Sequence, residues 1–195
     1  LKHNNPCGAA LSESISIAFK KALAADNVSA FGGIVAFNKN VDSETAEQIS
    51  NIFLECVVAP SFDKEALEIL KNKKNLRLLK LNYQGLNNSN QSSCKSIMGG
   101  LLVQENNFTK DNPEDWKTVT IKKPTAEELK DLKFSWQICK HVKSNAIVIS
   151  KNQQTIGIGA GQMNRVGAAK IALNASKDKC MNAVLASDGF FPFSD

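Results

Sequence analysis

The chain has 195 residues, 43% of them hydrophobic, and a formal net charge of +5. That is apolar material enough for a packed core, and length enough for one large domain or two small ones. No apolar run approaches the ~18–20 residues of a membrane helix, and lysines that are dispersed, densest at Lys71, Lys73 and Lys74, make a poor nucleic-acid footprint.

Residues 2–8, Lys-His-Asn-Asn-Pro-Cys-Gly, read as a polar turn in which Pro6 fixes the backbone and Gly8 releases it. On position alone this is a solvated terminus. Ser12 to Ala25 carries Ile15, Ala18, Phe19, Ala22 and Leu23 at helical spacing. Ser29-Ala30-Phe31-Gly32-Gly33 leads into a strand, Ile34 to Phe37. Asp42 is placed to cap a helix whose inward residues are Ala46, Ile49 and Phe53. Cys56 to Ala59 reads as a short strand ended by Pro60, Asp63 to Leu70 as a helix, and Leu76 to Leu81 as a strand. This alternation predicts an α/β fold with parallel or mixed sheets.

Asn82 to Ser96 is rich in Asn, Gln and Ser and reads as a surface loop or connection. Gly99 to Val103 is the next strand, and Glu105 to Trp116 a second polar stretch. Thr125 to Glu128 is a capping box opening a helix with Leu129, Leu132, Trp136 and Cys139 on one face. A final strand covers Ala183 to Ala186. The stretch Phe190-Phe191-Pro192-Phe193 is either a hydrophobic plug under the sheet or a wall for a flat heterocycle.

The segment from Lys143 to Arg165 organises the second half. Ala146 to Ile149 and Thr155 to Gly159 read as strands around the turn Lys151-Asn152-Gln153-Gln154. A helix follows Gly161, with Val166, Ala169 and Leu173 on one face and Ala168, Ile171 and Ala172 beside them. The glycines of Gly157-Ile158-Gly159-Ala160-Gly161 permit either close packing of helix on strand or an exposed anion-binding corner. Gln162 spoils a dinucleotide fingerprint, and no Gly-Lys-Ser/Thr follows for a phosphate loop. Asn145 and Arg165 flank the corner, one a neutral donor and the other a planar fork for an anion.

Five cysteines occur, Cys7, Cys56, Cys94, Cys139 and Cys180, with no C-x-x-C. Reduced thiols in a cytoplasmic protein fit them better than a disulfide frame or a zinc site. The start at Leu1-Lys2-His3, without Met, points to a piece of something longer.

Six blocks occur in order: Lys2 to Gly8, Ser29 to Gly33, Val57-Val58-Ala59-Pro60, Lys143-Ser144-Asn145-Ala146, Ile156 to Gln162, and Ala186 to Phe193. Together they resemble the AICAR transformylase family, AICAR being aminoimidazole carboxamide ribonucleotide. The likeness runs end to end. It implies a cytidine-deaminase-like α/β fold in two related subdomains with mixed sheets flanked by helices. These would be residues 1–81 and 98–195, both partial, joined by a polar connection at 82–97. It further implies a cytosolic homodimer with an interfacial site, and an inosinate cyclohydrolase domain ahead of Leu1.

By the same resemblance, His3 is the proton acceptor, Lys2 assists the transition state, and Asn145 contacts the formyl group and the substrate amine. Phe31, Gly32, Glu55, Arg165 and Phe190 match positions around the nucleotide. Met163, Asn164, Val166, Pro192, Phe193 and Asp195 match positions near the co-substrate, 10-formyltetrahydrofolate. No metal is implied. Glu55 stands where some members carry Asp, and Gly189 replaces a more usual Ala. The family's basic residues before the Lys-His block, and its aromatic and basic residues after Phe-Pro-Phe, fall outside the chain.

The implied reaction suits these residue types. The amine of AICAR is conjugated with its ring and is a poor nucleophile, so a base must take its proton. A positioned imidazole contributes ~10²–10⁴-fold in such a role. The formyl oxygen gains charge, and an amide or ammonium donor would stabilise it. A zinc-dependent nucleoside deaminase is the rival enzyme class, but it requires H-x-E and P-C-x-x-C. Asn5 and Ala10 stand where the Glu and the second Cys would be. A non-catalytic fragment is the third reading.

Overall fold

The structure, a computed structural model, describes residues 3–83, 92–105 and 111–193. Lys2, Asp195, residues 84–91 of the expected connection and residues 106–110 of the second polar stretch lie outside them.

The first half alternates helix and strand: α1 (Ile15–Ala25), β1 (Gly33–Ala36), α2 (Ser43–Ser50), β2 (Leu54–Ala59), α3 (Lys64–Leu70) and β3 (Arg77–Lys80). The strands form a parallel sheet in the order β1-β2-β3. Central β2 is covered on both faces, which is why Leu54, Cys56, Val57 and Ala59 are all apolar and buried. Phe19, Val41, Ala46, Ile49, Ala66 and Leu70 pack with Leu54, Val57 and Ala59 into one cluster. Burying each larger side chain of this kind contributes about 1.5–3 kcal/mol.

The helix starts follow local chemistry. Ser14 Oγ accepts from Ser16 N–H, and Asp42 accepts from Thr45 N–H at 2.8 Å. Asp63 stands at the start of α3, but its carboxylate accepts from Asn40 Nδ2 instead of capping. Phe53 was expected inward on α2. The helix ends at Ser50, and Phe53 instead lies exposed against Phe31, with ring centroids 5.2 Å apart.

Ser92 to Ser96, expected as loop, is strand. β4 (Ser92–Ile97) pairs antiparallel with β5 (Gly100–Glu105) around a turn at Met98-Gly99. Its serines gave no alternation of apolar residues. The register with β5 supplies the order instead. Gly99 has φ +83°, a conformation that glycine adopts without a Cβ clash.

The second half comprises α4 (Ala126–Cys139), β6 (Ile147–Lys151), β7 (Gln154–Gly159), α5 (Arg165–Ser176) and β8 (Val184–Ser187). Here the sheet is antiparallel, in the order β7-β6-β8. One three-stranded sheet is parallel and the other antiparallel, so the α/β class holds with both kinds of pairing. The capping box Thr125–Glu128 opens α4 as read from sequence.

Two helix faces differ from their predicted ones. On α4, Asp131, Phe134, Ser135 and Cys139 are buried, while Trp136 stands exposed against Trp116. Polar pairing rotates this face inward. Asp131 accepts from Asn152 and Gln153 N–H at 2.8 and 2.6 Å, and Ser135 hydrogen-bonds Ser150. On α5, Ala168, Ala172 and Ser176 are buried, whereas Ile171 and Leu173 are exposed. The small face is demanded by β7. A Cβ on Gly157 would stand 2.1 Å from Ala172 O, and one on Gly159 1.9 Å from Ala168 O. The glycines of the corner therefore serve close helix–strand packing.

The start of the chain is joined to this second sheet. Leu11 N–H donates to Gln153 O and Thr155 N–H to Ala9 O, both at 2.9 Å. α1 adds a bond from Gln154 Nε2 to Lys21 O at 2.8 Å. The start of the chain is thereby laid along the edge strand β7.

Candidate active site

The His3–Gly8 turn is held from two sides. A Cβ on Gly8 would lie 2.2 Å from Ala22 O, so this turn sits directly on α1. On the other side, Lys143 N–H donates to Asn5 Oδ1 at 2.9 Å. Asn5 occupies the position where a deaminase needs glutamate, and here its side chain is a structural tie. His3 is exposed, two residues from that tie.

Residues 143–145 are held in turn by the end of β7. Gly161 N–H donates to Lys143 O at 2.8 Å, and Asn145 gives both its backbone N–H and its Nδ2 to Gln162 O, at 3.1 and 2.8 Å. The Ser144–Asn145 peptide is cis. Asn145 is half-buried, with its amide oriented by that double bond to Gln162.

The turn after β8 completes the corner. Asp188 N–H donates to Ala146 O at 3.2 Å, and Ser144 Oγ donates to the Asp188 carboxylate. Arg165, first residue of α5, reaches Asp188 Oδ1 with Nη2 at 3.2 Å and Phe190 O with Nη1 at 2.9 Å. Its Nε is buried and has no acceptor among the described residues. Burial pushes the Asp188 carboxyl up, but Ser144, the Ala146 backbone and Arg165 outweigh it and hold the group below the usual carboxylate range. The same field reaches Cys139. Burial first, then the Asp188 carboxylate, lifts that thiol to about 11.

Around this corner stand exposed side chains. Phe190 and Phe193 are largely exposed, and Met163 almost fully so. Asn164 is committed as the cap of α5, accepting from Gly167 N–H at 2.6 Å. Val166 is half-buried on the first turn of α5, and Pro192 is exposed beside Phe193.

Phe31, Gly32 and Glu55 form a separate group on the parallel sheet. Gly32 has φ +67° and donates its N–H to Phe53 O at 2.8 Å. The β1–β2 register slips between Gly33 and Ile34, whose partners are Leu54 and Cys56. Glu55 is the residue left over, and a bulge of this kind re-aims a side chain. The two groups thus stand on different sheets.

A cleft of about 700 Å³ opens on the other side of the His3–Gly8 turn, lined by Cys7, Asp26, Thr155, Ile158, Ser176 and Lys177 among others. Asn5, Pro6 and Cys7 of that turn border it, but Asn145, Arg165 and Asp188 do not. The convergence of polar groups, not the volume, marks the site.

Sequence reading found Asn145 and Arg165 but assigned no part to Asp188, Ser144, Gln162 or Asn5. Each acts by a contact across at least 17 positions of sequence. The one local signal was the Ser-Asp-Gly turn, which places a carboxylate directly after a strand.

An α/β chain with this Asn-Arg-Asp corner beside an N-terminal His turn falls in a family of purine-synthesis bienzymes. The chain belongs to the AICARFT/IMPCHase bienzyme family, whose model matches residues 1–175. It is 69% identical over 195 residues to the bifunctional purine biosynthesis protein PurH of Prochlorococcus marinus strain MIT 9215. The protein of that name in strain MIT 9312 is 68% identical, and that in strain MIT 9211 is 54% identical. Each alignment covers all of this chain and 38% of the relative, so the chain spans under half the length of these proteins.

Proposed function

We propose that this chain carries formyl-transfer machinery: the intact protein moves a formyl group from 10-formyltetrahydrofolate to the 5-amino group of AICAR. The observation that carries the reading is the Asn5–Lys143 bond, which ties the His3 turn to the Asn145 turn. In this reading His3 takes the proton of the amine as the C–N bond forms. Asn145, with one N–H committed to Gln162 O, offers its remaining N–H to the formyl oxygen. Lys2 is the second donor to that oxygen.

Arg165 positions rather than reacts. Its two contacts fix the 188–190 turn and with it Phe190, a flat apolar face for the imidazole ring. Met163, Phe193 and Pro192 are exposed surfaces of the kind that pack a pterin or benzoyl group, with Asn164 and Val166 beside Met163 in the chain. Asp195, outside the described residues, is assigned to the same co-substrate by the family likeness alone. Phe31, Gly32 and Glu55 complete the nucleotide site when a second subunit brings the other sheet to the corner. The protein is accordingly a cytosolic homodimer. Its halves, 1–81 and 98–195 across the 82–97 connection, are parts of two cytidine-deaminase-like subdomains. The order α4-β6-β7-α5-β8 supports that reading. A cyclohydrolase domain in the remainder of the protein would close the product to inosinate.

The test is formyl transfer by the intact protein, followed through release of tetrahydrofolate. His3→Ala is expected to lose at least ~10²-fold in kcat with an unchanged melting temperature. Undiminished turnover by that variant refutes the assignment.

A further inference from the structure

Asp188 grips the chain on either side of Asn145. Ser144 Oγ donates to its Oδ2, and its own backbone N–H donates to Ala146 O at 3.2 Å. Gln162 O holds Asn145 itself, taking its backbone N–H and its Nδ2. A carbonyl accepts only from N–H, so the amide is fixed with Nδ2 toward Gln162 and Oδ1 away. The other oxygen of Asp188 is used too. Arg165 Nη2 donates to Oδ1 at 3.2 Å, and Nη1 donates to Phe190 O at 2.9 Å. The guanidinium lies where Gly189 has no side chain, since a Cβ there would stand 2.5 Å from Nη2. The side chains of this ion pair are 20% and 17% exposed, so water and salt screen it less than a surface pair.

We propose that Asp188 is a positioning residue for the reaction, acting on Asn145 through Ser144 and on Phe190 through Arg165. It touches no reacting atom. Oδ2 seats the turn whose amide meets the formyl oxygen, and Oδ1 seats the fork that steadies the aromatic wall. A carboxylate suits both, because serine and arginine each present a donor and an ionised acid offers only acceptors. Ser144 is exposed, so shortening it to alanine leaves no cavity and tests the Asn145 arm by itself. This inference rests on the formyl-transfer reading above and adds the residue that holds its polarising amide in place.

The intact protein tests it. Ser144→Ala should lower kcat about ten-fold or more while KM for AICAR stays within about two-fold, because Asn145 is unseated and the ring wall is not. Ser144→Thr keeps the hydroxyl and should restore kcat to within about two-fold of wild type. In an Asp188→Ala background Ser144→Ala should cost nothing further, since its partner is already gone. The serine pair decides the case even where Asp188→Ala fails to fold. Amide hydrogen exchange without ligand reads the same contact. The Asn145 N–H, bonded to Gln162 O, should exchange about ten-fold faster in Ser144→Ala and at the wild-type rate in Ser144→Thr. That exchange pattern in a protein without formyl transfer would sink the function and leave Asp188 as the holder of Asn145. Unchanged exchange at residue 145 in Ser144→Ala overturns the proposal whatever the turnover. In an active protein it is equally overturned by an unchanged kcat in Ser144→Ala, by a threonine that does not rescue, or by a serine effect that persists in full without Asp188.

Discussion

Asn5 Oδ1 accepts the backbone N–H of Lys143 at 2.9 Å, across a separation of 138 residues. The bond joins a turn ahead of the first helix to one that enters the second sheet. It holds the turn that carries His3 against the turn that carries Asn145, two segments that local sequence leaves independent.

Asn5→Ala removes that tie. A hydrogen bond of this exposed kind contributes about 0.5–1.5 kcal/mol to stability. Loss of formyl transfer should exceed what this small destabilisation explains, because the two turns separate. Comparing kcat/KM with the denaturation midpoint in the intact protein checks it. Activity falling no further than the folded fraction would leave Asn5 a purely structural residue.

The Asp188 carboxyl titrates below its ordinary value, chiefly because its hydrogen bonds and Arg165 outweigh burial. A depressed folded pKa stabilises above the unfolded pKa of about 4, and that stability is lost as pH falls through the folded value. Asp188→Asn should therefore be less stable than wild type near neutrality and show a shallower loss below about pH 4. Urea melts from neutrality into acid read the difference. Parallel curves would mean that Asp188 is not differentially ionised.

Gly159→Ala puts a methyl group 1.9 Å from Ala168 O, where only backbone can give way. Overpacking of this kind costs about 3 kcal/mol. Gly100→Ala has nothing within 4 Å and should change stability by less than about 0.5 kcal/mol. Urea midpoints at constant m-value separate the pair. Equal midpoints would contradict the close approach of α5 to β7.

Asn152 and Gln153 both have positive φ, 54° and 55°, in the two-residue turn between β6 and β7. Asparagine adopts this conformation at lower cost than glutamine does. Gln153→Gly makes the Asn-Gly pair that such turns favour and should raise stability by about 0.5–1 kcal/mol. Asp131 caps the turn through backbone N–H groups, so its two bonds survive the change. A lowered thermal midpoint would count against the turn geometry.

The sequence alone placed Asp42 and Thr125–Glu128 at helix starts and marked most strands, because caps and apolar periodicity act within a few residues. It also marked Asn145, Arg165 and the His3 turn, whose blocks of residues carry the family likeness. It misjudged α4 and α5, since a periodicity count treats Asp131 and Ser135 as outward and Leu173 as inward. Buried polar pairing and two glycines in β7 reversed those faces. It passed over the Ser92–Ile97 strand, because serines carry no alternation and only the register with β5 makes it one. The tertiary structure alone decided that Asp188 holds Arg165, that Glu55 falls in a bulge, and that Asn5 meets Lys143. The physical reason is common to all three: hydrogen bonds and strand register between distant segments form only once the chain has collapsed, and no short window of sequence contains both partners.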